Sequence, residues 1–152
     1  MPGWKLAIRL GVALALCALL VAAPARAGEL SVDELKAKLG AVSPGDKPHI
    51  CVQIAQQQLA AADQLYAAVE VEKAQAALTD VVAFSELARD YAIQSHKYQK
   101  QTEIAVRAMT RKLNDIMHGL PHDDRPPVHD AIERLQRVRD DLLAAMFPKG
   151  TK

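Results

Sequence analysis

Between Pro48 and Gly119 the chain runs for 70 residues without glycine or proline, and its apolar residues recur at steps of three and four. That spacing lines one face of an α-helix. A first stripe comprises Val52, Ala55, Leu59, Ala62, Tyr66 and Val69. Carried onward, the same rhythm would bury Lys73 and Asp80. The apolar positions instead resume as Val71, Ala74, Leu78, Val81, Phe84, Ala88, Tyr91, Ser95, Tyr98, Thr102, Ala105, Met109, Leu113 and Ile116. The register changes at Val69-Glu70-Val71, which predicts a tight turn joining two antiparallel helices, with one straight helix carrying a stutter as the alternative.

Breakers mark the other boundaries. Ser31-Val32-Asp33-Glu34 has the form of a capping box and opens a short helix ending near Leu39, before a loop containing Ser43-Pro44-Gly45-Asp46. Gly119-Leu120-Pro121 stops the long helical run. Asp123 or Asp124 then serves as the expected cap of a last helix, with Pro126 and Pro127 in its first turn. That helix carries Val128, Ile132, Leu135, Val138, Leu142 and Met146 on one face, and Phe147-Pro148 ends it.

The pattern predicts an all-α chain with main helices over 49–69, 71–118 and 126–147. The two shorter ones together match the long one, so two architectures follow. If the long helix stays straight, antiparallel helical hairpins form around it, and their half-covered stripes call for a homodimer. If it breaks near Ser95-His96, the same elements make a small up-down bundle. Either way, residues 28–48 form a short capped helix and loop, 49–147 the helical domain and 148–152 a tail.

Residues 1–27 read as a cleaved signal peptide: Lys5 and Arg9 precede an apolar run from Leu10 to Ala23, and Ala25-Arg26-Ala27 supplies a small-x-small cleavage site. Leu16 before Cys17 argues against lipidation there. Without Lys5, Arg9 and Arg26, the 19 basic and 18 acidic residues of the whole chain become 16 against 18, a formal charge of −2. A near-neutral exported domain is a poor nucleic-acid binder. No later segment is apolar enough to span a bilayer, so the expected location is the periplasm or outside a bacterial cell.

Export leaves Cys51 as the one cysteine, which excludes a disulfide framework and gives two readings: a buried inert thiol, or a contact with a symmetry mate. After residue 27 there are 19 Ala and no Trp, with Tyr66, Phe84, Tyr91, Tyr98 and Phe147 as the aromatics. Alanine lets helices approach closely but buries little area, so the core is expected to be thin.

Candidate chemistry is sparse. His118, His122, Asp123 and His129 flank one loop and are residue types that ligate zinc, copper or nickel, although their spacing matches no known signature and caps and solvated loop residues look the same. Haem attachment lacks Cys-x-x-Cys-His, and a di-iron bundle lacks Glu-x-x-His, so no cofactor is expected. There is no phosphate loop, Gly-x-Ser-x-Gly elbow or strand pattern to hold an active site, so the chain does not read as an enzyme. His49-Ile50-Cys51 places His and Cys on different helix faces. From Arg89 to Lys112, six basic residues face only Asp90 and Glu103, and Lys97, Lys100, Arg107 and Arg111 recur along one side. That stripe suits an anionic surface, or else a solvated face paired within the bundle or with Asp140 and Asp141.

The segments His96-Lys97-Tyr98-Gln99-Lys100-Gln101-Thr102-Glu103-Ile104, Arg111-Lys112-Leu113-Asn114-Asp115-Ile116 and Leu135-Gln136-Arg137-Val138-Arg139-Asp140-Asp141-Leu142-Leu143, with Met146-Phe147, resemble a group of uncharacterised exported bacterial helical proteins. The resemblance covers the C-terminal third to half and implies helices but no site. Leu65-Tyr66 with Glu72-Lys73-Ala74-Gln75-Ala76-Ala77-Leu78 is similar to the turn of a tetratricopeptide repeat, but Val69-Glu70 stands where its glycine belongs and no second copy follows. The functional expectation is a non-enzymatic interaction or scaffold protein of the cell envelope with an unidentified envelope protein as partner. Alternatives are anionic-component binding through Lys97 to Arg111 and metal binding at the His118 to His129 loop.

Overall fold

The computed structural model describes residues 28–150, and the segment expected to be a signal peptide, residues 1–27, lies outside them. Five α-helices follow one another: α1 (Val32–Ala41), α2 (Lys47–Ala67), α3 (Val71–Ser95), α4 (Gln99–Gly119) and α5 (Arg125–Met146), with a single 3₁₀ turn, His122–Asp124, before the last. The capping box forms as the sequence indicates. Ser31 Oγ accepts from the Glu34 N–H at 3.2 Å and the Ser31 N–H donates to Glu34 Oε2 at 2.7 Å. That backbone bond, followed by the hydroxyl contact, holds the Glu34 carboxyl below its ordinary pKa.

The turn between α2 and α3 falls at the register change. Glu70 N–H reaches Leu65 C=O at 2.9 Å and Val69 N–H reaches Tyr66 C=O at 3.0 Å, the paired bonds of a Schellman closure. Its left-handed position is occupied by Val69, at φ 61° and 80% exposed. A β-branched residue there is strained and gains nothing from burial. Val69→Gly should therefore raise stability by about 1 kcal/mol, the relieved strain exceeding the added freedom of the unfolded chain. Urea unfolding checks it.

The expected helix over 71–118 does not exist as one piece. It breaks at His96 to Tyr98, which selects the up-down bundle over hairpins around a straight helix. His96 and Tyr98 both take left-handed conformations, at φ 56° and 61°, and turn the chain without glycine. A second correction concerns Asp124. It occupies the cap position of α5 but makes no side-chain cap bond. The 3₁₀ turn runs straight into α5 instead, with Arg125 Nε donating to Leu120 C=O at 2.9 Å.

The two hairpins, α2–α3 and α4–α5, pack face to face, α3 chiefly against α2 and α5, and α4 beside α2. Arg134 with Glu86 and Arg89 with Asp141 advance together along α5 and α3, so these two helices run parallel. Ala55, Leu59, Ala74, Leu78, Val81, Val106, Leu113, Val128, Leu135 and Leu142 lie in one apolar cluster. Alanines at 0% exposure, Ala55, Ala62, Ala74, Ala88 and Ala92, let α2 and α3 sit deep in the bundle. A smaller cluster, Leu35 with Ile50 and Ile54, fixes α1 on α2. That second partner widens the buried arc of α2, so Ile50 and Ile54 are buried although the stripe read from sequence began at Val52.

Candidate functional site

The buried positions of α4 are Thr102, Val106, Met109, Leu113 and Ile116, at steps of four and three, with Glu103 flanking them. The opposite side of the helix therefore presents Lys100, Ile104, Arg107 and Arg111, also at steps of four and three. Ile104 is 44% exposed. A partly exposed branched aliphatic side chain thus stands among cationic groups on the outer side of α4.

The nearest acid is turned inward. Glu103 is 6% exposed and accepts from Arg139 Nε of α5 at 2.7 Å, while Arg107 Nε lies 3.7 Å from the same oxygen. Arg107 is half-buried, and its Nε has no hydrogen-bond partner. Asp141, expected as a partner for this stripe, is engaged instead by Arg89 Nη1 at 3.0 Å. Lys97, Lys100 and Arg111 make no ion pair among the described residues. Of the four predicted basic residues, Lys100, Arg107 and Arg111 are thus brought to one side of α4, Arg107 leaning on Glu103, while Lys97 precedes the helix.

Lys97 belongs to the α3–α4 turn rather than to the helix. Its stem crosses Gly45, where an added Cβ would stand 2.8 Å from Lys97 Cδ and push aside only the flexible end of the lysine. The adjacent Tyr98 is 38% exposed and stacks on His49, with ring centroids 5.9 Å apart and planes at 26°. Sequence reading missed both Ile104 and this aromatic pair. Ile104 carried a signal, because its position falls among the basic residues of the stripe; His49 and Tyr98 are 49 positions apart and carried none.

The residues proposed for metal binding are dispersed. His118 is in the last turn of α4, His122 and Asp123 on the 3₁₀ turn, and His129 in α5 beside Glu133, with Nδ1 3.9 Å from its Oε1. All four are exposed, and among the described residues no three His, Cys, Asp or Glu side chains come together as a metal site. The reason is local: Pro121 and the 3₁₀ turn lead the chain directly into α5 instead of folding a loop back on itself.

Cys51 is fully buried and its thiol is pushed up to about 11 by burial, against the opposing pull of Lys47. That is an inert interior cysteine. Between the C-terminal halves of α2 and α4 an open notch of about 260 Å³ is lined by Asp63, Tyr66, Lys112 and Asp115, among others. Asp63 and Lys112 close on each other at 2.6 Å, which raises the lysine, while burial and then Asp124 raise Tyr66. Its opposed charges satisfy one another and converge on no common point. No helix of the described residues is long and apolar enough to cross a membrane. Comparisons of the chain with protein-family models, curated proteins and solved structures returned no match.

Proposed function

We propose that the protein is an exported, non-enzymatic helical interaction module of the bacterial cell envelope, and that the outer side of α4 is its contact surface for an anionic envelope component. The observation that carries this reading is Ile104, exposed between Lys100 and Arg107, with Arg111 one turn further on and Lys97 and Tyr98 at the start of the helix. Cations draw an anionic surface in, and an exposed aliphatic group adds a short-range apolar contact once the surface has arrived. Glu103 turns inward to Arg139 and Arg107, and Lys97, Lys100 and Arg111 make no ion pair among the described residues. Export rests on the leader composition of residues 1–27, and a bacterial envelope location follows from it.

Sedimentation with vesicles of anionic and of zwitterionic phospholipid tests the reading. The protein is expected to bind the anionic vesicles at low salt and to be released at high salt, since exposed charges are screened over about 10 Å at 0.1 M. Replacing Lys97, Lys100, Arg107 and Arg111 together with Gln should abolish that binding while helicity is retained. Wild-type protein that stays in solution, or a variant that binds as well as wild type, removes the proposal.

A further inference from the structure

Three residues, His96, Lys97 and Tyr98, reverse the chain between α3 and α4, and two of them are non-glycine residues in the left-handed region. Each such residue is disfavoured by roughly tenfold against its right-handed helical conformation. The helix ends made by this turn are poorly finished. Tyr98 gives the first amides of α4 no side-chain cap, and the Lys97 N–H is met by the Ser95 hydroxyl at a long 3.3 Å. A helix continuing through these positions would satisfy the same groups with its own hydrogen-bond ladder.

The phase of the covered positions points the same way. Ala88, Ala92, Ser95, Gln99, Thr102 and Val106, all buried or half-buried, follow one another at steps of four, three, four, three and four across the turn. A chain that reverses direction has no need to keep its heptad phase; one helix spanning both segments does. Since α3 packs chiefly on α2 and α5, moving α4 away from it forfeits little.

We infer that the His96–Tyr98 turn is a hinge through which two copies of this chain exchange their α4–α5 hairpins, with α3 and α4 joined into one helix from Val71 to Gly119. In the exchanged dimer, each α4–α5 hairpin docks on the α1–α2–α3 unit of the other copy. Arg89 with Asp141, Arg134 with Glu86 and Lys112 with Asp63 then pair between chains. The dimer regains the hairpin-to-hairpin contacts of the closed bundle and loses two strained turns, and higher protein concentration offsets the entropy of association. The closed form alone keeps the Tyr98–His49 stack and the Lys97 stem across Gly45.

Paired hinge substitutions test the exchange. His96→Gly with Tyr98→Gly suits the left-handed turn and disfavours a helix, whereas His96→Ala with Tyr98→Ala does the reverse. Each dimer holds two hinges, so every effect counts twice. By sedimentation equilibrium, the dimer dissociation constant should rise more than a hundredfold for the glycine pair and fall at least tenfold for the alanine pair. Strand exchange itself is read by Arg89→Cys with Asp141→Cys in a Cys51→Ala background, joined by a short bis-maleimide. The alanine pair should yield covalent dimers on a denaturing gel and the glycine pair single chains. Asp63→Cys with Lys112→Cys reads a second contact if the first pair disturbs folding. An alanine pair that stays monomeric at every concentration, equal constants for the two hinge pairs, or a dimer whose cross-links stay within each chain overturns the inference.

Discussion

Glu103→Ala should lower the free energy of unfolding by about 2 kcal/mol, more than the loss of any surface charge in this protein. Among the described residues the carboxylate is the one buried acid, and it draws Arg139 of α5 and Arg107 of its own helix against the α4–α5 seam. Removing one partner of a buried pair leaves charge without compensation, at a cost of about 3–5 kcal/mol when burial is complete. Here the two arginines keep 41% and 43% of their side-chain surface exposed, so water compensates part of the loss and the lower figure applies. A double-mutant cycle with Arg139→Met isolates the pair, and a coupling of about 1 kcal/mol or more is the expected outcome. Additive single effects would show that Glu103 acts through packing alone.

The second large effect distinguishes the two apolar clusters. Leu135 is fully buried in α5 at the meeting of the two hairpins, and Leu135→Ala should cost about 3 kcal/mol. In a domain with a thin, alanine-rich core that is a large share of the total, and the unfolding midpoint should fall in one cooperative step. Leu35 is as deeply buried, at 2% exposure, but it belongs to the small cluster with Ile50 and Ile54. Leu35→Ala should release α1 and leave α2 to α5 intact. Hydrogen exchange reads the difference: accelerated amides in residues 32–41 alone for Leu35→Ala, and across all five helices for Leu135→Ala.

The parts of this fold that were legible in the sequence are those written in local chemistry. Ser31 and Glu34 announce a helix start, Gly119 and Pro121 a stop, and the phase change between Val69 and Val71 a turn that composition alone hides. The break at His96 was legible only as one of two alternatives, for a physical reason. The heptad phase runs on unaltered from Ala92 through Ser95 and Gln99 to Thr102, and the turn is made by His and Tyr where glycine would have marked it. Likewise, burial of Ile50 and Ile54 depends on α1 packing against them, which no period on α2 could reveal. Of the candidate site, the basic stripe was legible from spacing. The direction of Glu103 was not, because it depends on Arg139 lying opposite across α5. The histidines failed as a cluster because proximity in sequence did not become convergence around the 3₁₀ turn.

Ile104 offers the most direct test of the contact surface. Nearly half of this residue is in solvent and it lies opposite the core positions of α4, so Ile104→Glu changes the face while leaving those core positions in place. The measurement is equilibrium binding of this single variant to anionic vesicles at low salt, beside its urea unfolding curve. Binding reduced at least tenfold, with an unfolding midpoint unchanged from wild type, is the expected result. Undiminished binding by a variant that folds normally would contradict the assignment of this face.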